Sequence, residues 1–282
     1  MSMLSGLSGL GLGKLESADL FTDVEEKKST GVGNSPSSKE PRKPVIEDYV
    51  FMKSYTCPVC GSQFKCATVK SGKAKLVGTD LDLRTRYEPV DPHKYDIVAC
   101  DKCGYAALSR YFDKITSPQA KLVKADISSN FRGISQSLNP TYDDALVRYR
   151  LAIAGTIVKK ARASEKAYTC MKMAWIVRAK AEDLNPDVAD YDQQIQELKD
   201  DELELLTNAL NGFIAARQSE NFPIAGMDEI TFDYLISAIA VKIGKYDIAT
   251  KIIPNILVSR TANNRLKDKA RELKEIIMQN KQ

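Results

Sequence analysis

Histidine is almost missing from this chain: its 282 residues hold one, His93. General acid-base and nucleophilic catalysis draw most often on a histidine beside a carboxylate or a nucleophile, so this scarcity removes the commonest enzymatic constellations. No Gly-x-Ser-x-Gly elbow is present. The Gly13-Lys14 pair has Ser8 where a phosphate loop needs its first glycine and Leu15 where it needs a hydroxyl. The expectation is a protein that is not an enzyme, with carboxylate-only chemistry the one route left open.

Long apolar runs are missing as well. No stretch approaches the roughly 20 consecutive apolar residues of a membrane span, and the N-terminus lacks a basic segment followed by an unbroken apolar one. A cytoplasmic protein without membrane contact is expected. An excess of either charge is nearly missing too, because 41 Lys and Arg stand against 37 Asp and Glu. The whole surplus falls between residues 46 and 140, with 14 basic and 10 acidic side chains. Four thiolates around Zn²⁺ would carry a net 2−, bringing that segment to about +2, a weak footprint for nucleic acid.

Cysteine is sparse, at six, but not scattered. Cys57-Pro58-Val59-Cys60-Gly61 is answered by Cys100-Asp101-Lys102-Cys103-Gly104. Each knuckle offers two thiolates from one tight turn, and two knuckles complete a tetrahedral Cys₄ shell. With no export signal and four of six cysteines so arranged, metal ligation is expected over disulfides. The predicted metal ligands are Cys57, Cys60, Cys100 and Cys103, holding a structural Zn²⁺ with no position open for catalysis. Cys66 and His93 are the spare candidates. A lone strand cysteine reads first as a small buried hydrophobe, and a histidine after Asp91-Pro92 first as a solvated turn residue.

Taken in order, residues 1–45 pair a glycine-rich opening with a Ser/Pro-rich stretch and read as a disordered tail, with a docking motif on Leu4, Leu7, Leu10, Leu12 and Phe21 as the second reading. Residues 46–116 form a zinc-ribbon-like module. Gln63–Lys70 and Lys75–Thr79 are β-leaning runs that Ser71-Gly72 would join as a hairpin, and residues 95–99 are a further strand-like run into the second knuckle. Asp80 to Tyr87 alternates polar and apolar residues, which predicts a half-exposed strand first and a carboxylate or arginine site second.

Residues 117–282 read as helices, with starts at Ser117-Pro118, Thr141 (Thr141-x-x-Asp144 as a capping box), Ser164, Asn185-Pro186, Asp228 and Asn263. The class is α+β, mostly α. Spacing of large and small residues is similar to tetratricopeptide repeats: Leu151, Gly155, Ala167, Met171 and Ala174 across one helical pair, Ala209, Phe213 and Ala216 in another, and the Gly244 to Ala249 turn. Pro254 and the lack of a regular period depart from that pattern, and a plain helical bundle is the other reading. Trp175 belongs to the core on both.

The knuckle pair, Asp80-Leu81-Asp82-Leu83-Arg84, Cys103-Gly104-Tyr105-Ala106-Ala107, Ala174-Trp175-Ile176-Val177-Arg178 and Gly226-Met227-Asp228 together resemble a bacterial family catalogued as a domain of unknown function, family 2225, over about residues 46–280. The resemblance implies a bacterial cytoplasmic protein with a metal-binding knuckle domain and repeat-like helices. It implies no activity, and only the four knuckle cysteines carry over as a site.

Function is then expected to lie in binding. The first expectation is a protein-protein interaction scaffold that takes another protein or a peptide on its helical domain, with the zinc module as a rigid second face or cap. The alternative is a nucleic-acid-binding ribbon with a helical regulatory domain, using Lys65, Lys70, Lys73, Lys75, Arg84 and Arg86 with Phe64, Tyr87 and Tyr95 as stacking faces.

Overall fold

The computed structural model describes residues 45–280. The expected tail, with its leucines, thus lies outside the described residues except for Val45. The described residues belong to one compact unit.

Strands come first. β1 (Val50–Thr56) and β2 (Gln63–Val69) form an antiparallel hairpin in which Val50 faces Val69 and Thr56 faces Gln63. β3 (Lys75–Thr79) pairs with β4 (Thr85–Glu88), and β5 (Ile97–Ala99) with β6 (Ala106–Leu108), both antiparallel. Each pair is a separate two-stranded sheet. The hairpin expected across Ser71-Gly72 does not form, since β2 pairs back to β1 and β3 forward to β4. Burial explains the choice. β1 brings Val50 into a cluster with Ala67, Val90 and Tyr95, whereas Leu76 and Val77 of β3 are exposed and give β2 no apolar face to pack on.

The run from Asp80 to Tyr87 is strand only from Thr85. Asp80 to Arg84 is a tight turn: Leu83 N–H donates to Asp80 O at 3.1 Å, Asp80 N–H to Arg84 O at 2.8 Å, and Leu83 sits at φ +67°.

Helices fill the rest: α1 (Ser117–Val123) running into a π-helical turn at Lys124–Ser128, then α2 (Tyr142–Val158), α3 (Ala163–Asp183), α4 (Tyr191–Ser219), α5 (Glu229–Lys242), α6 (Tyr246–Val258) and α7 (Asn264–Gln279). Three starts fall where the sequence puts them. The side chains of Thr141, Asp228 and Asn263 accept the N–H groups of Asp144, Thr231 and Leu266. Others shift. α1 is capped by Thr116, because the reciprocal bond needs Gln119 three residues on, whose Oε1 accepts Thr116 N–H at 3.1 Å. α3 begins one residue before Ser164. Asn185 closes only a turn, accepting Asp187 N–H at 3.0 Å, and α4 waits until Tyr191. Pro254 lies inside α6, which continues through it.

α3 and α4 pack along each other, α5 and α6 along α7, and α2 lies between α3 and the β5–β6 hairpin. At the α3–α4 crossing a Cβ on Gly212 would stand 2.9 Å from that of Ala167, so the close approach requires glycine. Gly155 serves a different contact from the one its spacing suggests: its missing Cβ would meet Ala106 O at 3.2 Å, so it lets α2 approach β6. Ala167, Met171, Ala174, Ala209, Phe213 and Ala216 share one core with Trp175. A second core joins module to helices, with Ile97 and Leu108 against Leu146, Ile176 and Val177. Each such side chain contributes about 1.5–3 kcal/mol on burial. No helix among the described residues is long and apolar enough to cross a membrane.

Candidate metal centre

Each knuckle sits in the turn of a hairpin. In the first, Gly61 N–H donates to Cys57 O at 2.8 Å and Cys57 N–H to Ser62 O at 2.9 Å; in the second, Gly104 N–H donates to Cys100 O at 3.0 Å and Cys100 N–H to Tyr105 O at 2.9 Å. The two turns are the same device used twice. Gly61 (φ +77°) and Gly104 (φ +74°) are left-handed, the conformation glycine adopts without a Cβ penalty. At Gly104 a Cβ would also stand 2.6 Å from the Phe131 ring, which packs over the second turn.

The four sulfurs lie within 4.8 Å of one another. Cys57 Sγ is 3.6 Å from Cys103 Sγ, and Cys60 Sγ is 3.8 Å from Cys100 Sγ. A tetrahedral ion with metal–sulfur bonds of about 2.3 Å requires sulfur separations of about 3.8 Å, so the donor set fits such an ion and leaves no ligand position open. Cys57, Cys100 and Cys103 are buried and Cys60 is exposed. As free thiols they are mismatched. Burial pushes Cys100 up to about 11, while the hydrogen bond with Cys57, together with burial, drives Cys103 far above the thiol range. At Cys60 burial also raises the thiol, but hydrogen bonds from Ser62 outweigh it and bring it down to about 7. Ligation requires all four to lose their protons, so metal uptake is coupled to proton release.

The surroundings are an aromatic and aliphatic core: Val59, Phe64, Tyr105, Phe112 and Val123 pack with the cysteines. Cys66 joins this core at 1% exposure as a buried hydrophobe, its thiol raised by burial and pointing at Ile97 O. It is not among the clustered sulfurs.

His93 corrects the expectation of a solvated turn. It is 5% exposed in a 3₁₀ turn, Pro92–Tyr95, and lies against Trp175 with ring centroids 5.3 Å apart. Lys172 Nζ stands 2.9 Å from its Nδ1, and Thr85 O 3.0 Å from its Nε2. Asp96 Oδ2 lies 3.4 Å from the same Nδ1, so both ring nitrogens are engaged by polar neighbours. Lys172 also pairs with Asp96 at 2.6 Å. Lys172 with His93, Asp96 and Thr85 thus pins α3 to the metal module.

A second polar centre was legible only as the minor reading of the Asp80 to Tyr87 run. The turn carries Asp82 into the helical core at 4% exposure, where it accepts Arg178 Nη2 at 2.5 Å and Trp175 Nε1 at 3.0 Å. Arg178 also reaches Asp80 at 3.0 Å and Glu202 at 2.8 Å. Arg86 joins Asp80 (2.6 Å) to Glu182 (2.8 Å), and buried Arg84 reaches Glu182 at 3.0 Å. Tyr234 O–H donates to Leu81 O at 2.7 Å. These bonds cross-link the module to α3 and α5, and Arg178 in turn ties α3 to α4. They also bear on the stacking faces the sequence offered: Arg84 and Arg86 are committed to carboxylates, and Phe64 and Tyr95 are buried.

A double knuckle in paired β-hairpins, docked on a helical array by a buried Asp–Arg–Trp centre, makes this an α+β protein with a four-cysteine cluster that could hold a metal ion. Residues 50–277 match the model of the family described as "uncharacterized protein conserved in bacteria (DUF2225)", and the chain belongs to that family. No curated protein and no solved structure matches the chain.

Proposed function

We propose that this protein is a non-enzymatic, cytoplasmic scaffold in which a structural Zn²⁺ holds the two knuckles together and a tetratricopeptide-like helical array binds another protein or a peptide. The observation that carries the reading is the closed Cys₄ set within 4.8 Å, built into a core continuous with the helices. A site with four sulfur ligands suits a structural role, because catalysis at zinc needs a position for water or substrate. The non-enzymatic part is supported by the commitments of the polar groups: both ring nitrogens of His93 are engaged inside the core, and Asp80, Asp82, Glu182 and Glu202 are each tied to a guanidinium. The helices then remain as the surface for partners, as in repeat scaffolds.

The test uses the full-length protein. Metal content by inductively coupled plasma mass spectrometry should give one zinc per chain. A pull-down from bacterial lysate should retain a stoichiometric protein through nuclease treatment. No zinc, or recovery only of nucleic acid that washes off at moderate salt, would refute the reading.

A further inference from the structure

α2 carries a cation where a charge is unfavourable. Arg148 is 2% exposed, and a guanidinium cannot shed its proton to escape burial. It forms no ion pair among the described residues. Its Nη2 makes one long hydrogen bond, to Ser135 O at 3.4 Å, and its Nη1 is buried without a partner. The acidic groups around it do not answer the charge. Asp144, one turn earlier on α2, accepts the N–H and O–H of Thr141, both at 2.9 Å. Burial keeps the Cys66 thiol raised although the Arg148 charge draws it down, so that sulfur supplies no anion.

Residues 131–140, which form no helix or strand, cross this part of the molecule as a strap. Gln136 Nε2 donates to Ala99 O at 2.8 Å, which fixes Oε1 as the other end of the amide, and that oxygen is buried without a partner. Leu138 packs against the cluster that holds Tyr95, whose hydroxyl is a third buried group with none. Burial raises this hydroxyl to about 12 and the Arg148 charge opposes the rise, so it is a neutral donor within electrostatic reach of the guanidinium. Asp101, against Gly133 of the strap, is paired with Lys102 at 3.4 Å. Buried polar groups are paired as a rule, and an unpartnered set of this kind calls for a ligand. Two donors beside a positive charge, with one acceptor, match an oxyanion that keeps a proton. Its charged oxygens accept from Arg148 Nη1 and the Tyr95 hydroxyl, and its own O–H donates to Gln136 Oε1. Sulfate and chloride have no proton to give.

We propose that Arg148, Tyr95 and Gln136 form a buried site for a small proton-bearing oxyanion, hydrogen phosphate or hydrogen carbonate, which ties the strap to α2 and to the metal module. This site is separate from the partner surface proposed above.

The experiment uses the full-length, zinc-loaded protein near neutral pH and at fixed ionic strength. Inorganic phosphate, hydrogen carbonate, sulfate and chloride are titrated in turn, and two readouts are taken: the thermal unfolding midpoint and the rate of trypsin cleavage after Arg132, an exposed strap residue. At ten times its Kd the bound ion should raise the midpoint by about 3 °C or more and slow that cleavage about tenfold. A response to phosphate alone, or to hydrogen carbonate alone, upholds the site and identifies its ion. Arg148→Met should abolish the response and, with no anion added, leave the midpoint unchanged or higher, since it removes an unanswered charge. Tyr95→Phe, which keeps the ring in its cluster, should weaken binding about tenfold and serves if Arg148→Met does not fold. Absence of a saturable response to either ion, an equal response to sulfate or chloride, or a response that survives Arg148→Met or is unmoved by Tyr95→Phe would overturn the proposal.

Discussion

Replacing Asp82 by alanine should cost about 3–4 kcal/mol. Removing one member of a buried ion pair usually costs about 3–5 kcal/mol, because the other charge is stranded. Arg178 keeps Asp80 and Glu202, which puts this case at the low end, near 3. Trp175 Nε1–H, bonded to Asp82 at 3.0 Å, loses its acceptor in a site 4% exposed, adding about 1 kcal/mol. For a unit of this size the melting temperature should fall by about 10 °C. Asp82→Asn keeps an acceptor for the indole and should lose about half as much. Urea unfolding followed by Trp175 fluorescence is the natural assay, since the single tryptophan touches the altered carboxylate. A double-mutant cycle with Arg178→Met should return at least about 1 kcal/mol of coupling. A loss under about 1 kcal/mol for Asp82→Ala, or a cycle without coupling, would refute the claim that this pair fastens the module to the helices.

Cys57→Ser or Cys103→Ser should abolish zinc binding and unfold the knuckle hairpins, read by metal content and proteolysis within residues 46–116; a normal melting profile would contradict a structural ion. Cys170→Ala should shift stability by less than about 1 kcal/mol, since that thiol, raised to about 11 by burial, only fills core space. Gly104→Ala should cost at least about 1–2 kcal/mol from its left-handed backbone, with the Phe131 clash on top, and reduce zinc affinity in a chelator competition. Stability should fall in acid. Asp96 is raised by burial but held down to about 2 chiefly by Lys172, and Asp80, Glu182 and Asp144 are likewise lowered by Arg86, Arg84 and Thr141. Their folded values lie below the unfolded ones, so their contribution is complete above about pH 4.5 and is lost as pH falls toward 2. Asp233, raised by burial, works in the opposite direction and offsets part of the loss. Unfolding midpoints independent of pH between 5 and about 2.5 would refute this assignment.

What the sequence disclosed was local. A knuckle is five residues, a capping box four, and both carry their geometry within one turn, so Cys57 to Gly61, Cys100 to Gly104 and Thr141 to Asp144 were readable directly. The α+β division and the family resemblance rested on motifs of the same kind. What escaped was decided at a distance. β2 chooses β1 through a core that includes Val90 and Tyr95, and no feature of Ser71-Gly72 could report that. His93 is defined by Lys172 and Trp175, roughly eighty residues away, and alone after Asp91-Pro92 it looks like any turn histidine. The Asp80 turn did leave a signal, two acids and two arginines within seven residues, but alternation mimicked a strand. Gly155 was rightly singled out as a close approach while its neighbour, a strand carbonyl, was not.

The order of these parts along the chain has a topological consequence. The Asp80 turn and His93 both lie between Cys60 and Cys100, so the segment that grips α3 is a loop whose two ends meet at the sulfurs. An ion bound by all four closes a ring of 47 residues from Cys57 to Cys103. By the chain-entropy treatment of cross-links, such a closure removes about 4 kcal/mol of freedom from the unfolded chain. Without it, Asp82 and His93 must find Arg178 and Lys172 from an open segment. Filling the four-cysteine cluster with an ion would thereby tighten the hold on the helices at a point they do not share with the cysteines.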